Sequence, residues 1–112
     1  MNTNILIYDK TGVFINLIIN YLGENIGLLF CNNKRKLKKI DLNTISTAYL
    51  YTDKKEDLND ILIMNNNINE VYIITNSIIL KNKLIQIDPN HFLDLDTDTF
   101  KIMESIFYKT LD

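Results

Sequence analysis

Five short apolar runs, separated by stretches with a helical pattern, constrain this chain more than any other feature. They are Asn4–Tyr8 (NILIY), Ile26–Cys31 (IGLLFC), Ser46–Thr52 (STAYLYT), Glu70–Thr75 (EVYIIT) and His91–Leu95 (HFLDL), the last the weakest. Most are rich in β-branched or aromatic residues and near-continuously apolar, without strict alternation. That pattern predicts strands covered on both faces. The intervening segments predict helices over Thr11–Leu22, Asn33–Ile40, Asp53 or Lys54 to about Asn65, Ser77 to about Leu84, and Asp98–Leu111. Strands alternating with helices make a parallel sheet with right-handed crossovers and a helix layer on each face.

At 112 residues the chain fits one domain, taken here as 1–112. For an α/β/α sandwich of this size the expected arrangement is the flavodoxin-like five-stranded sheet, order 2-1-3-4-5. Lys83–Asp88 (KLIQID) is an alternative fifth strand, which would turn His91–Leu95 into a loop. Inward-facing positions are expected at Val13, Phe14, Leu17, Ile18 and Tyr21 of the first helix, an arc wide enough to reach a neighbouring helix or another subunit. Leu37 and Ile40 fill that role in the second helix. Leu58, Ile61 and Leu62 do so in the third, and Phe100, Met103, Ile106, Phe107 and Leu111 in the last. Gly23 reads as a helix C-cap, Ser77 as an N-cap, Asp96 or Thr97 as the cap of the last helix, and Met64–Glu70 (MNNNINE) as a polar turn.

Ligands of such sheets sit beyond the carboxyl ends of the strands. Asp9, Lys10, Asp53, Thr75, Asn76 and Leu95 are therefore the residues from which chemistry is expected. Asp9 reads either as a metal ligand or as a loop carboxylate paired with Lys10 or another lysine. Asp53 reads either as a reactive strand-end carboxylate or as the N-cap of the third helix.

In element order and spacing, over nearly the whole chain, the sequence resembles a bacterial response-regulator receiver domain with a depleted motif set. The resemblance makes Asp53, in YLYTD, the phosphoacceptor candidate and Thr75, in VYIITN, the switch residue that follows the phosphoryl group. It makes Asp9 and Asp53 the candidate Mg²⁺ ligands, but Lys10 stands where a second acid is usual. Leu95 and Asp96 stand where a Lys-Pro pair is usual, and the proline after the phosphoacceptor is missing. Phosphoryl transfer to an aspartate depends on positioning and on neutralisation by Mg²⁺ and a cation. The resemblance thus implies a pseudo-receiver: a non-enzymatic signalling module acting through protein–protein contact, with a homodimer among the expected partners and no cofactor. The alternative is a divergent receiver phosphorylated at Asp53 with Mg²⁺. A third reading is a small metal-dependent enzyme using Asp9, Asp53 and the Asp94–Asp98 run (DLDTD).

Other features weigh less. Asp94–Asp98 lacks the glycine of a calcium loop and reads first as a strand end meeting a helix N-terminus. The basic run Lys34–Lys39 holds five cations in six residues. It reads as a solvated face, with docking of an acidic partner as the minor reading, and no nucleic-acid partner is expected. His91 has no catalytic partner at a recognisable spacing. Cys31, the single cysteine, cannot form a disulfide within the chain and reads as a small buried hydrophobe. The three glycines draw no phosphate loop. A net charge of −2, no basic-then-apolar leader and no long apolar run point to a cytoplasmic protein without a membrane partner.

Overall fold

The computed structural model describes residues 4–24, 26–87, 92–93 and 95–111. Its strands are β1 (Ile5–Asp9), β2 (Leu29–Cys31), β3 (Thr47–Tyr51) and β4 (Glu70–Ile74). Its helices are α1 (Val13–Leu22), α2 (Lys34–Lys38), α3 (Leu58–Asn67), α4 (Ile78–Ile87) and α5 (Leu95–Thr110). The four strands form a parallel sheet in the order β2-β1-β3-β4. Past β4, the two residues Phe92–Leu93 run parallel to Ile73–Ile74.

Every residue of β1 and β3 is buried, as runs without alternation require. Successive side chains still point to opposite faces. Leu6, Tyr8, Ala48, Leu50, Val71 and Ile73 face Leu37, Ile61, Met64 and Leu80 of α2, α3 and α4. Ile5, Ile7, Tyr49, Tyr51 and Ile74 face Phe14 and Ile18 of α1 and Ile102, Met103 and Ile106 of α5. Fully burying each of these aliphatic and aromatic side chains contributes about 1.5–3 kcal/mol.

The parallel α/β architecture follows the sequence pattern, and several boundaries differ from it. The second strand shortens to Leu29–Cys31. Lys83–Ile87 lies inside α4, so that run is no strand. His91 and Asp94 lie outside the described residues, and Leu95 begins α5. Helix α3 continues to Asn67, so the polar turn shrinks to Ile68–Asn69. Gly23 takes a positive φ of 88° after α1 and its N–H bonds Ile19 O, as a C-cap does. Asn33 caps α2 through Lys36 N, and Ser77 caps α4 through Leu80 N.

Helix faces bring larger corrections. On α3 the inward residues are Asp60, Ile61 and Met64, while Leu62 turns outward; the side chain of Leu58 is outside the described set. On α5 the inward residues are Ile102, Met103 and Ile106, while Phe100, Phe107 and Leu111 are exposed. On α1, Val13 and Tyr21 are likewise exposed. An apolar stripe wider than the sheet can cover leaves its flanks to solvent or to a partner.

Candidate functional site

The carboxyl ends of β1, β3 and β4 place Asp9, Thr52, Asp53 and Thr75 along one edge of the sheet, with Asp57 and Asp60 of the α3 start leaning back onto it. The acids of this edge divide among four separate bonding systems.

Asp9 is wholly buried at the last position of β1. Its Oδ1 accepts from Thr11 N at 2.9 Å and Thr11 Oγ1 at 2.7 Å. Its Oδ2 accepts from Phe14 N at 2.7 Å and Ile15 N at 3.2 Å. Each oxygen thus takes two donors, the full lone-pair capacity of a carboxylate. The position before α1 is Gly12, with φ 82° and no side chain to cap the helix. The left-handed turn at Gly12 folds the chain so that Asp9 supplies that cap from three residues upstream, at the positive end of the helix dipole. A hard cation such as Mg²⁺ wants carboxylate lone pairs directed at it. Asp9 has none left, so this residue does not fit a metal ligand.

Lys10 does not pair with Asp9, contrary to the sequence expectation. Its Nζ reaches Asp57 Oδ1 at 2.8 Å, and Thr52 Oγ1 donates to Asp57 Oδ2 at 2.6 Å. The hydrogen bond and charge of Asp57 push the Lys10 pKa up. Asp60, also buried, accepts from the Tyr8 hydroxyl at 3.2 Å and lies 3.6 Å from Lys34 Nζ. Burial, and then the Asp60 charge, raise the Tyr8 pKa. Asp57 and Asp60 were missed in the sequence. Their three-residue spacing on one helix face, opposite Tyr8, Lys10 and Thr52, is the signal that points to them.

Asp53 does not cap α3, whose first residue is Leu58, preceded by a short 3₁₀ turn over Lys55–Asp57. It turns towards the start of α4 instead. Its Oδ1 accepts from Thr75 Oγ1 at 2.9 Å and from Asn76 N at 2.9 Å. Its Oδ2 accepts from the Tyr51 hydroxyl at 2.6 Å. Burial alone would raise the Asp53 pKa, but the bonds from Tyr51, Asn76 and Thr75 outweigh it and hold the carboxyl below its ordinary value. Thr75 also accepts from Ser77 N at 3.1 Å, so one hydroxyl ties the end of β4, the entry to α4 and Asp53 together. The structure therefore brings Asp53 and Thr75 into contact, while Asp9 bonds its own loop. For Asp53 to attack an electrophile, a lone pair not taken by these donors would have to point along the line of attack.

The side chains of Leu95, Asp96 and Asp98 are outside the described set, as are His91 and Asp94. Among the described residues no group of three or more His, Cys, Asp or Glu side chains is placed to hold a metal ion. Cys31 is buried, with its Sγ on Asn33 O at 3.3 Å. Comparison with protein-family models, with curated proteins and with solved structures finds no match for this chain.

Proposed function

We propose that this chain is a receiver-like signalling module that acts through protein–protein contact, with its phosphorylation switch impaired or lost. The reading takes the sheet as the flavodoxin-like five-stranded arrangement, order 2-1-3-4-5, with Phe92–Leu93 as the outermost strand. One observation carries it: the acid after β1 has both oxygens filled by the turn and first amides of α1. A receiver would use that acid to hold Mg²⁺. Lys10, the neighbouring cation, is directed to Asp57 and not to Asp53. Lys55 and Lys83 line a recess with Asp53, so the part of the neutralising set that this reading takes to be missing is the metal.

Support for protein contact comes from the α1–α5 face of the sheet. Tyr21, Phe100, Phe107 and Tyr108 line an open groove of about 470 Å³ between α1 and α5. Contiguous exposed apolar surface of this kind marks contact sites. A second copy of the chain is the candidate partner named by the sequence. The reading takes the protein to work in the cytoplasm; among the described residues no helix is long and apolar enough to cross a membrane.

A second reading, a divergent receiver phosphorylated at Asp53 with Mg²⁺, is favoured by the 2.9 Å contact between Asp53 and Thr75. Intact-mass measurement after incubation with acetyl phosphate and Mg²⁺ separates the two. The proposal expects no phosphoryl adduct on the wild-type chain. An adduct that disappears in Asp53→Ala would replace it with the second reading.

A further inference from the structure

Helix α2 carries a charge cluster that the fold does not use. Lys34 alone reaches the strand-end network, through Asp60. Arg35, Lys36, Lys38 and Lys39 are exposed, and none of them pairs with a carboxylate among the described residues. Like charges four apart on a helix, here Lys34 and Lys38, repel. The cluster is set in a chain whose net charge is −2.

Against this helix lies a recess of about 180 Å³. Its lining is mostly apolar, from Leu37, Ile40, Leu42 and Ile63; Lys34 and Lys38 stand at its rim, and Asp60, the one acid lining it, is already met by Lys34 and the Tyr8 hydroxyl. A cavity of roughly 150 Å³ accepts one benzene-sized group. The recess is thus sized for one large apolar side chain. Ile63, on the outer side of α3, is 53% exposed.

We propose that the α2–α3 face docks an acidic amphipathic segment of a partner protein. One apolar side chain of the segment sits in the recess, and its carboxylates meet Arg35, Lys36 and Lys38. An apolar anchor in a pocket with a charged rim is the usual anatomy of a small protein interface. Charge complementarity selects an acidic occupant and raises its association rate. Nucleic acid fits less well, because no aromatic ring lines the recess for base stacking and an apolar floor offers phosphates nothing. A membrane fits less well, because the apolar groups are recessed where insertion needs them to protrude. The proposal is independent of the receiver reading, since it uses neither Asp53 nor the α1–α5 groove.

The test is an NMR titration of the full ¹⁵N-labelled chain with a synthetic helical peptide that carries glutamates on one face and leucines on the other. Four further probes are the same peptide with serine for leucine, the same peptide with lysine for glutamate, a DNA duplex, and phosphatidylserine vesicles. The expected result is saturable shifts over residues 34–42 and around Ile63 with the acidic peptide. Affinity should fall by roughly tenfold or more in Lys36→Glu/Lys38→Glu and in Ile63→Asp, and weaken with added salt. All the substituted residues are exposed, so thermal melts should match the wild type. The four other probes should not bind. Absence of shifts on α2, equal binding by the serine peptide, DNA or vesicles, or unchanged affinity of Ile63→Asp would overturn the proposal.

Discussion

Replacing Asp9 by alanine removes the acceptor for the Phe14 and Ile15 amides while leaving those donors buried or half-buried. Hydrogen bonds to a charged group contribute about 1.5–3 kcal/mol each, so Asp9→Ala should cost about 2–4 kcal/mol in urea denaturation. An acid held among other acids for a metal would behave oppositely, since its removal relieves repulsion; a neutral or stabilising Asp9→Ala would contradict the capping role. Asp53 makes a different prediction. Its pKa is lowered below 3.8, so the folded state resists its protonation more than the unfolded chain does. Its stabilisation is therefore fully present above that value and is lost as pH falls through the folded pKa. The stability gap between wild type and the non-titrating Asp53→Asn should hold from about pH 7 to about pH 5 and shrink below about pH 4. A gap that widens on acidification would have the wrong sign. At this scale the sequence indicates which residues stand at the strand ends, because strand ends follow from apolar runs. It does not indicate their partners. Asp53 bonds Thr75 across 22 positions and Lys10 bonds Asp57 across 47, and no local pattern encodes such pairings.

Helix faces are less legible in the sequence than helices, for a reason visible in α3 and α5. Each has apolar residues on both sides, so periodicity alone leaves the inner side open. On α3 the deciding residues are polar: Asp57 and Asp60 are drawn inward by Lys10, Thr52, Tyr8 and Lys34, and this rotation carries Leu62 out. Met64 is 0% exposed and Leu62 is 37% exposed. Met64→Ala should therefore cost about 2–5 kcal/mol, and Leu62→Ala well under 2, by urea or thermal denaturation. Comparable losses at both positions would mean that the sequence-derived face was right after all. The same contrast holds on α5. Ile106→Ala should destabilise by about 2–5 kcal/mol, while Phe100→Ser, at a position 75% exposed, should stay within about 0.5 kcal/mol. If the α1–α5 groove is a contact face, Phe100→Ser should also reduce self-association in sedimentation equilibrium, an effect that fold stability does not predict.

Across the whole molecule, the parallel order β2-β1-β3-β4 follows from the alternation of buried strands and helices, since right-handed crossovers leave few other arrangements. The edge past β4 follows less clearly, because Phe92–Leu93 offers only two residues for pairing. The sheet places Asp9 and Asp53 on the same edge, as the chain pattern predicts. What it adds is that these acids are already engaged, one by a helix start and the other by the turn before α4. The central claim is that Asp9 and Asp53 are held by internal hydrogen bonds, which for Asp9 leaves no lone pair directed at a metal ion. The most direct test is an amide NMR titration of the full chain with Mg²⁺, followed by beryllium fluoride, on wild type and Asp53→Ala. The account predicts no saturable shifts at Asp9, Asp53 or Thr75 at millimolar Mg²⁺, with or without the phosphoryl mimic. Saturable shifts at those three residues that vanish in Asp53→Ala would contradict it and make the chain a working receiver.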